Sequence, residues 1–220
     1  MAFSREQLHD LYRKRAGRYD LTANLYYLIG FREQHYRRRA VAELQLRRGD
    51  TVVELGCGTG LNFPLLQEAV GPEGRIIGVD LTDAMLARAE GRVARHGWRN
   101  VELVQADAGS FVFPAGVNAI LSTFALTLMP DYARIVRAGR ETLATGGRFA
   151  ILDLKKSATA PRWLTRIMIR ITRPFGVTAD LTARHPWEKI ESEFPSAFRK
   201  EYFLGYVYLA VGVAGCLEGG

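Results

Sequence analysis

The stretch Thr51-Val52-Val53-Glu54-Leu55-Gly56-Cys57-Gly58-Thr59-Gly60 constrains this chain most, because a short apolar β-type run stops there at a carboxylate and a glycine-rich turn. Three glycines at this spacing let the backbone turn tightly and come close to a ligand, with N–H groups of the following helix pointing into the same gap. A nucleotide-like ligand is implied. The loop reads Gly56-x-Gly58-x-Gly60, so it lacks both the glycine spacing of the dinucleotide fingerprint and the Lys-Ser/Thr of a P-loop. Neither a pyrophosphate nor a triphosphate is well served.

Two further strand ends point the same way. The run Arg75-Ile76-Ile77-Gly78-Val79 ends in Asp80, 20 residues after Gly60, where an acid can accept both hydroxyls of a ribose. Val101-Glu102-Leu103-Val104-Gln105 runs into Ala106-Asp107-Ala108, a natural place to hydrogen-bond an adenine amino group.

From Thr51 onward, strands and helices alternate, which predicts a doubly wound α/β fold with helices on both faces of a mostly parallel sheet of about seven strands. The expected strands are Thr51 to Leu55, Arg75 to Val79, a third ending at Gln105, Val117 to Thr123 and Arg148 to Leu154. Phe198 to Phe203 and Tyr206 to Val213 read as a terminal antiparallel hairpin. Thr82 is the expected N-cap of a helix stopping near Gly97, and a helix is expected from Asp131 to Leu143. At 220 residues this is one domain with additions: an N-terminal helical segment (1–48), a core (49–154), a basic helical insertion (155–197) and the hairpin (198–216).

Charge is uneven. Residues 1–50 carry 11 Lys/Arg against 6 Asp/Glu and residues 155–200 carry 10 against 4, whereas the rest of the chain has 9 against 13. The decorating segments are basic and the core mildly acidic, so an anionic partner is expected at the decorations. Phe3, Leu8, Leu11 and Tyr12 share a helical face beside Arg5, Arg13, Lys14 and Arg15, and Arg162, Arg166, Arg170 and Arg173 recur at helical spacing beside Trp163, Ile167 and Ile171. Each is either a surface-binding helix for lipid headgroups or a lid with a solvated face. The aromatic run from Leu21 to Phe31, Tyr27 included, either walls an apolar substrate pocket or is core.

Other classes are disfavoured. No run reaches the ~20 apolar residues of a membrane span, and the mixed charge at the N-terminus is unlike a secretory signal. The two cysteines, Cys57 and Cys216, have no metal or redox spacing, which suggests a reducing cytosol, and the four histidines are scattered, so no metal is expected. Arg37-Arg38-Arg39 lacks any nucleic-acid recognition module around it, so no nucleic-acid partner is expected.

Four stretches in order, Glu54-Leu55-Gly56-Cys57-Gly58-Thr59-Gly60, Gly78-Val79-Asp80, Gln105-Ala106-Asp107 and Leu143-Ala144-Thr145-Gly146-Gly147-Arg148-Phe149, resemble class I S-adenosylmethionine-dependent methyltransferases, whose sheet is Rossmann-like. The resemblance implies S-adenosylmethionine as cofactor and S-adenosylhomocysteine as product. On it, Gly56, Gly58 and Gly60 pass the methionine and ribose portions, Glu54 holds the loop or the amino group, and Asp80 binds the ribose diol. Leu81 and Met85 sandwich adenine, Asp107 and Ala108 meet its edge, and the Thr123 region closes over the methionine end.

The flanks narrow the expectation. Arg18-Tyr19-Asp20, the aromatic run after it, Leu126-Thr127-Leu128-Met129-Pro130, Arg173-Pro174-Phe175-Gly176-Val177-Thr178 and Arg184-His185-Pro186-Trp187-Glu188 resemble bacterial phospholipid N-methyltransferases, a branch similar to the ubiquinone/menaquinone C-methyltransferases. That resemblance implies stepwise methylation of phosphatidylethanolamine toward phosphatidylcholine, at an anionic membrane surface on the inner face of the cytoplasmic membrane. Tyr19 and His185 are then the expected catalytic residues, with Arg184, Trp187, Thr127 and Tyr27 on the substrate. A quinone C-methyltransferase, or a soluble N- or O-methyltransferase of small molecules, is the alternative.

Overall fold

The computed structural model describes residue 13, residues 31–161, residue 165 and residues 184–215. Tyr19, Tyr27 and nearly all of both basic amphipathic stretches lie outside the described residues. Helix α1 (Glu33–Glu43) leads into β1 (Thr51–Leu55), α2 (Phe63–Val70), β2 (Arg75–Asp80), α3 (Asp83–His96), β3 (Val101–Gln105) and β4 (Val117–Thr123). There follow a 3-10 turn (Leu126–Leu128), α4 (Tyr132–Thr142), β5 (Leu143–Leu154), α5 (Pro186–Glu193), β6 (Ser196–Tyr202), a second 3-10 turn (Phe203–Gly205) and β7 (Val207–Val213).

The seven strands form one sheet in the order β3-β2-β1-β4-β5-β7-β6. The first five are parallel, and β7 runs antiparallel to both β5 and β6. Alternation along each strand divides the core in two. Val52, Ile76, Leu121, Leu152 and Leu209 face α1, α2 and α3, while Val53, Ile77, Ile120, Ile151 and Tyr208 face α4 and α5. Glu54 alternates with Val53 and so points, like Val52, toward α1 and α2.

Local chemistry sets the element ends. Gly71 and Gly97 end α2 and α3 at φ +70° and +67°, a backbone region that glycine enters without steric cost. Thr82 holds the N-cap position of α3, but its side chain makes no capping bond; the Thr82 N–H is taken instead by Asp80 Oδ1 at 2.9 Å. β5 is longer than its sequence expectation, starting at Leu143 where it pairs with Val117 before a register shift in β4. The end of the basic insertion is part of the second core: Trp187, Ile190 and Phe194 of the α5 region are buried against the sheet. Among the described residues, no helix is long and apolar enough to cross a membrane.

Candidate active site

The chain winds outward through β1, β2 and β3 and then returns to β4, so adjacent β1 and β4 mark the point where the winding reverses. Open α/β sheets bind ligands outside the carboxyl ends of their strands at such a point. A cleft of about 850 Å³ of empty space, its open mouth included, lies there, lined by Gly56 and Gly58 after β1, Val79–Thr82 across the end of β2, Ala106–Ala108 after β3 and Thr123–Ala125 across the end of β4 with Leu128–Pro130 beyond it. Met85 of α3 closes one wall.

The glycine turn is held from below. The N–H groups of Gly56 and Cys57 both donate to the Val79 carbonyl, at 2.8 and 3.0 Å, and Gly58 N–H donates to Asp80 Oδ2 at 2.8 Å. The glycines then differ in purpose. A Cβ at Gly56 would run into the Ala125 Cβ and one at Gly60 into the Phe63 ring, whereas a Cβ at Gly58 would meet nothing within 4 Å. Gly56 and Gly60 are required by packing, and Gly58 leaves the turn bare toward the cleft. Cys57 is buried, and burial pushes its thiol well above the usual range, so it fills the turn as an unreactive side chain.

Asp80 spans two elements, with Oδ2 on the Gly58 N–H and Oδ1 on the Thr82 N–H. Burial raises its pKa, and these two backbone donors oppose the rise. Asp107 Oδ1 accepts the Gly109 N–H at 2.8 Å, fixing the turn after β3. Leu81 is partly exposed at the mouth, while Met85 and Ala108 are buried. Thus Gly56, Gly58, Asp80, Leu81, Met85, Asp107, Ala108 and Thr123 meet at one cleft, with Glu54 and Gly60 outside its lining.

Glu54 belongs to a buried network that the sequence does not announce. Its Oε1 accepts from Asn62 Nδ2 at 2.6 Å, and Asn62 Nδ2 also reaches Thr123 Oγ1 at 2.9 Å. Arg37, only 4 % exposed, donates through Nη1 to Thr123 Oγ1 at 2.6 Å and Asn62 Oδ1 at 3.1 Å, and through Nε and Nη2 to Glu33 Oε1. Asn62 stands at the N-cap of α2 yet makes no capping bond, because its amide is used here. Burial drives the Glu54 pKa up to about 7 against the opposing pull of Asn62 and Arg37, and among the described residues its Oε2 has no hydrogen-bond partner. Phe124, next after Thr123, lines the cleft at φ +56°, a backbone strain on the order of 1–3 kcal/mol for a bulky residue. Its N–H donates to Leu152 O at 2.7 Å, the Arg37 guanidinium lies 5.2 Å from its ring centroid, and Phe31 packs on it at 5.8 Å.

The opposite wall is pinned by residues far away in sequence. Asp153, at the end of β5, accepts the Thr127 N–H at 2.9 Å and the Leu154 N–H at 2.8 Å, and burial raises its pKa to about 6. Arg184 Nη1 donates to the carbonyls of Thr127 and Leu128 at 3.0 and 3.2 Å. Thr127 is buried, and among the described residues its Oγ1 and the Tyr208 hydroxyl have no partner at hydrogen-bond geometry. Trp187 packs edge-on against Tyr208 in the core, and His185 stacks on Trp187 at 4.6 Å while its Nδ1 lies 2.9 Å from Glu188 Oε1. Arg184 therefore reaches the cleft wall directly, whereas Trp187 and His185 are not in the cleft lining.

A nucleoside-bearing cofactor fits these residues: a bare glycine edge, a carboxylate one strand away, apolar Leu81 and Met85, and a second carboxylate after β3. Among the described residues, no group of three or more His, Cys, Asp or Glu side chains is placed to hold a metal ion.

Comparison with known proteins agrees with this geometry. Residues 52–147 match a family described as a methyltransferase domain. The chain is 36% identical over 114 residues to an arsenite methyltransferase of Halobacterium salinarum, covering 51% of this chain and 29% of that protein. It is 30% identical over 158 residues to a demethylmenaquinone methyltransferase of Staphylococcus saprophyticus, covering 70% of this chain and 65% of that protein, and 27% identical over 160 residues to that of Listeria monocytogenes, covering 72% and 66%. It thus spans less than two thirds of the length of these relatives. Among solved structures, a methyltransferase from Aquifex aeolicus superposes with a TM-score of 0.61 at 21% identity, covering 81% of this chain and 89% of that one. A chain from the complex of the Haloferax volcanii Trm112 activator with a putative methyltransferase gives 0.66 at 19% identity, covering 97% and 100%. These last two share the fold. The cleft at the switch point thus lies within residues 52–147, which match the methyltransferase-domain family from β1 into β5, on a fold shared with an S-adenosylmethionine-dependent methyltransferase.

Proposed function

We propose that this chain transfers a methyl group from S-adenosylmethionine to an apolar, quinol-type acceptor, at a ring carbon. The observation that carries this reading is the extent of the match to demethylmenaquinone methyltransferases, 158 to 160 residues, which is longer than the 52–147 methyltransferase domain alone. The expectation of a phospholipid amine gives way to its alternative here, since the relatives named above act, by their names, on arsenite and demethylmenaquinone. The apolar wall of Phe124, Ala125, Leu128, Met129 and Pro130 supports the same acceptor class.

When bound, the cofactor supplies a methyl group on a positively charged sulfur, open to in-line displacement. This chain's residues then position and exclude. Asp80 receives the ribose hydroxyls while holding the Gly58 and Thr82 N–H groups in place. Asp107 and Ala108 meet the adenine edge, with Leu81 and Met85 on its faces. The clamp of Asp153 and Arg184 on Thr127–Leu128 fixes the acceptor wall, and alignment of acceptor and methyl accounts for most of the acceleration.

A phosphatidylethanolamine amine is the second reading, favoured by the basic excess of residues 1–50 and 155–200, and it carries with it contact with an anionic membrane surface. Tyr19 and His185 would then serve at the transfer centre. One assay decides. Labelled S-adenosylmethionine is supplied with a demethylated quinol, phosphatidylethanolamine vesicles or arsenite, in parallel. Label in the quinol is the expected result; label confined to phospholipid or to arsenite replaces the proposal, and label in none of them removes the acceptor assignment.

A further inference from the structure

The buried network under Thr123 has a fixed sense. Arg37 can only donate, so the Asn62 amide must turn its oxygen toward Arg37 and its NH₂ toward Glu54 and Thr123. Thr123 Oγ1 therefore accepts twice, from Arg37 Nη1 at 2.6 Å and from Asn62 Nδ2 at 2.9 Å. A hydroxyl oxygen has two lone pairs, and both are now engaged. The remaining capacity of Thr123 is its O–H proton, and Thr123 lines the cleft.

Arg37 sits on the inward face of α1 with Tyr36, Ala40 and Val41, where an apolar side chain would pack. Its charge is held there by Glu33 one turn earlier, which leaves Nη1 to span from α1 to both the N-cap of α2 and the last residue of β4. The same guanidinium lies over the Phe124 ring, at the residue with positive φ. One side chain thus sets both the direction of the Thr123 proton and the seat of the Phe124 ring.

We infer that Arg37 is a positioning residue that, with Asn62, turns the Thr123 hydroxyl into an obligate hydrogen-bond donor for a carboxylate oxygen at the amino-acid end of the bound cofactor. The inference rests on the cofactor occupying this cleft as proposed above. A donor already polarised by a guanidinium suits an anionic oxygen and disfavours a cationic or donor group at the same point. Arg37 itself does not touch the ligand.

The test is calorimetric binding of S-adenosylhomocysteine and of 5′-methylthioadenosine, which keeps the nucleoside and sulfur but lacks the amino acid, to the full chain. Thr123→Val and Arg37→Met should each weaken S-adenosylhomocysteine by about ten- to a hundredfold, the size of a lost bond to a charged group. Methylthioadenosine should bind them as it binds wild type. Arg37→Met/Thr123→Val should lose little beyond either single change, because the two act through one hydroxyl. Arg37→Lys, which keeps one donor, should recover part of the loss. Equal losses for both ligands, or additive single effects, would overturn the inference by reducing Arg37 to packing. If Arg37→Met does not fold, Thr123→Val and Arg37→Lys carry the same contrast. If wild type binds neither ligand, the cofactor assignment fails rather than the role of Arg37.

Discussion

The two walls of the cleft are built on different plans. On the β1–β2–β3 side, the turns are held chiefly by strand ends and the few residues after them, Gly58 to Asp80, Thr82 to Asp80 and Gly109 to Asp107, with Arg92 on the Thr59 carbonyl and Arg134 on that of Gly109 added from α3 and α4. On the β4–β5 side, the contacts join residues far apart in sequence: Arg37 to Thr123, Asp153 to Thr127, Arg184 to Thr127 and Leu128. The first side binds with backbone shape. The second is an ordinary turn made specific by side chains brought in from α1, β5 and the start of α5.

If that contrast is right, disturbing the turn should cost most where packing requires glycine. Gly56→Ala combines a collision with Ala125 and a left-handed backbone, so it should lose about 3–5 kcal/mol, while Gly58→Ala carries only the backbone term of about 1–2 kcal/mol. Thermal unfolding of the two variants distinguishes them, and equal losses would break the comparison.

Next in size is the pH response of the buried carboxyl of Glu54. It holds its proton up to about pH 7 when folded and only to about 4.5 when free, so the folded state binds the extra proton between those values. That stabilisation is complete at the acid end of the window and is lost as pH rises through 7. Relative to Glu54→Gln, the wild type should lose roughly 3 kcal/mol between pH 4 and pH 8, at about 1.36 kcal/mol per pK unit. Parallel denaturant curves at the two pH values measure it; a constant difference would mean that Glu54 is not buried beneath the turn as described.

Asp80→Ala comes third, with a loss of about a hundredfold in S-adenosylhomocysteine affinity, equivalent to about 2.7 kcal/mol, and unchanged calorimetric binding would remove Asp80 from the ribose. The smallest effect sharpens the other wall. Asp153→Asn can accept only one of the Thr127 and Leu154 N–H bonds, a loss of about 1–2 kcal/mol, but it escapes the burial of a charge. With Asp153 titrating at about pH 6, the variant should be less stable than wild type at pH 4 and reach parity or better at pH 8. A deficit independent of pH would place the Asp153 charge in solvent.

The same division explains what the sequence made legible. The strand limits Thr51 to Leu55 and Val117 to Thr123, the cleft, and the gathering of Gly56, Gly58, Asp80, Met85, Asp107 and Ala108 around it follow from local patterns, since each rests on an apolar run stopping at a turn. Arg37 could not be read this way. In Arg37-Arg38-Arg39 the three residues are chemically alike, and only the phase of α1 sends the first inward while the other two stay exposed. Asn62 holds the N-cap position of α2, but its amide serves Glu54 and Thr123, 8 and 61 residues away. Trp187, grouped in sequence with Arg184 and His185, is divided from Arg184 by the entry into α5, which turns the indole into the core. Long-range pairing of this kind depends on crossing geometry, which single-sequence periodicity does not encode.

One consequence concerns how the molecule is made. β7 lies between β5 and β6, paired along seven residues with each, and Gly212 leaves the space into which the Phe194 ring fits. A nascent chain that has emerged from the ribosome as far as β5 therefore carries an unpaired strand edge, rich in Phe149, Ile151 and Leu152, until residues 207–213 are also outside. The cofactor half of the sheet can form early during translation, but its closure waits for the end of β7, and an arrest in that interval leaves an adhesive edge for chaperones to cover.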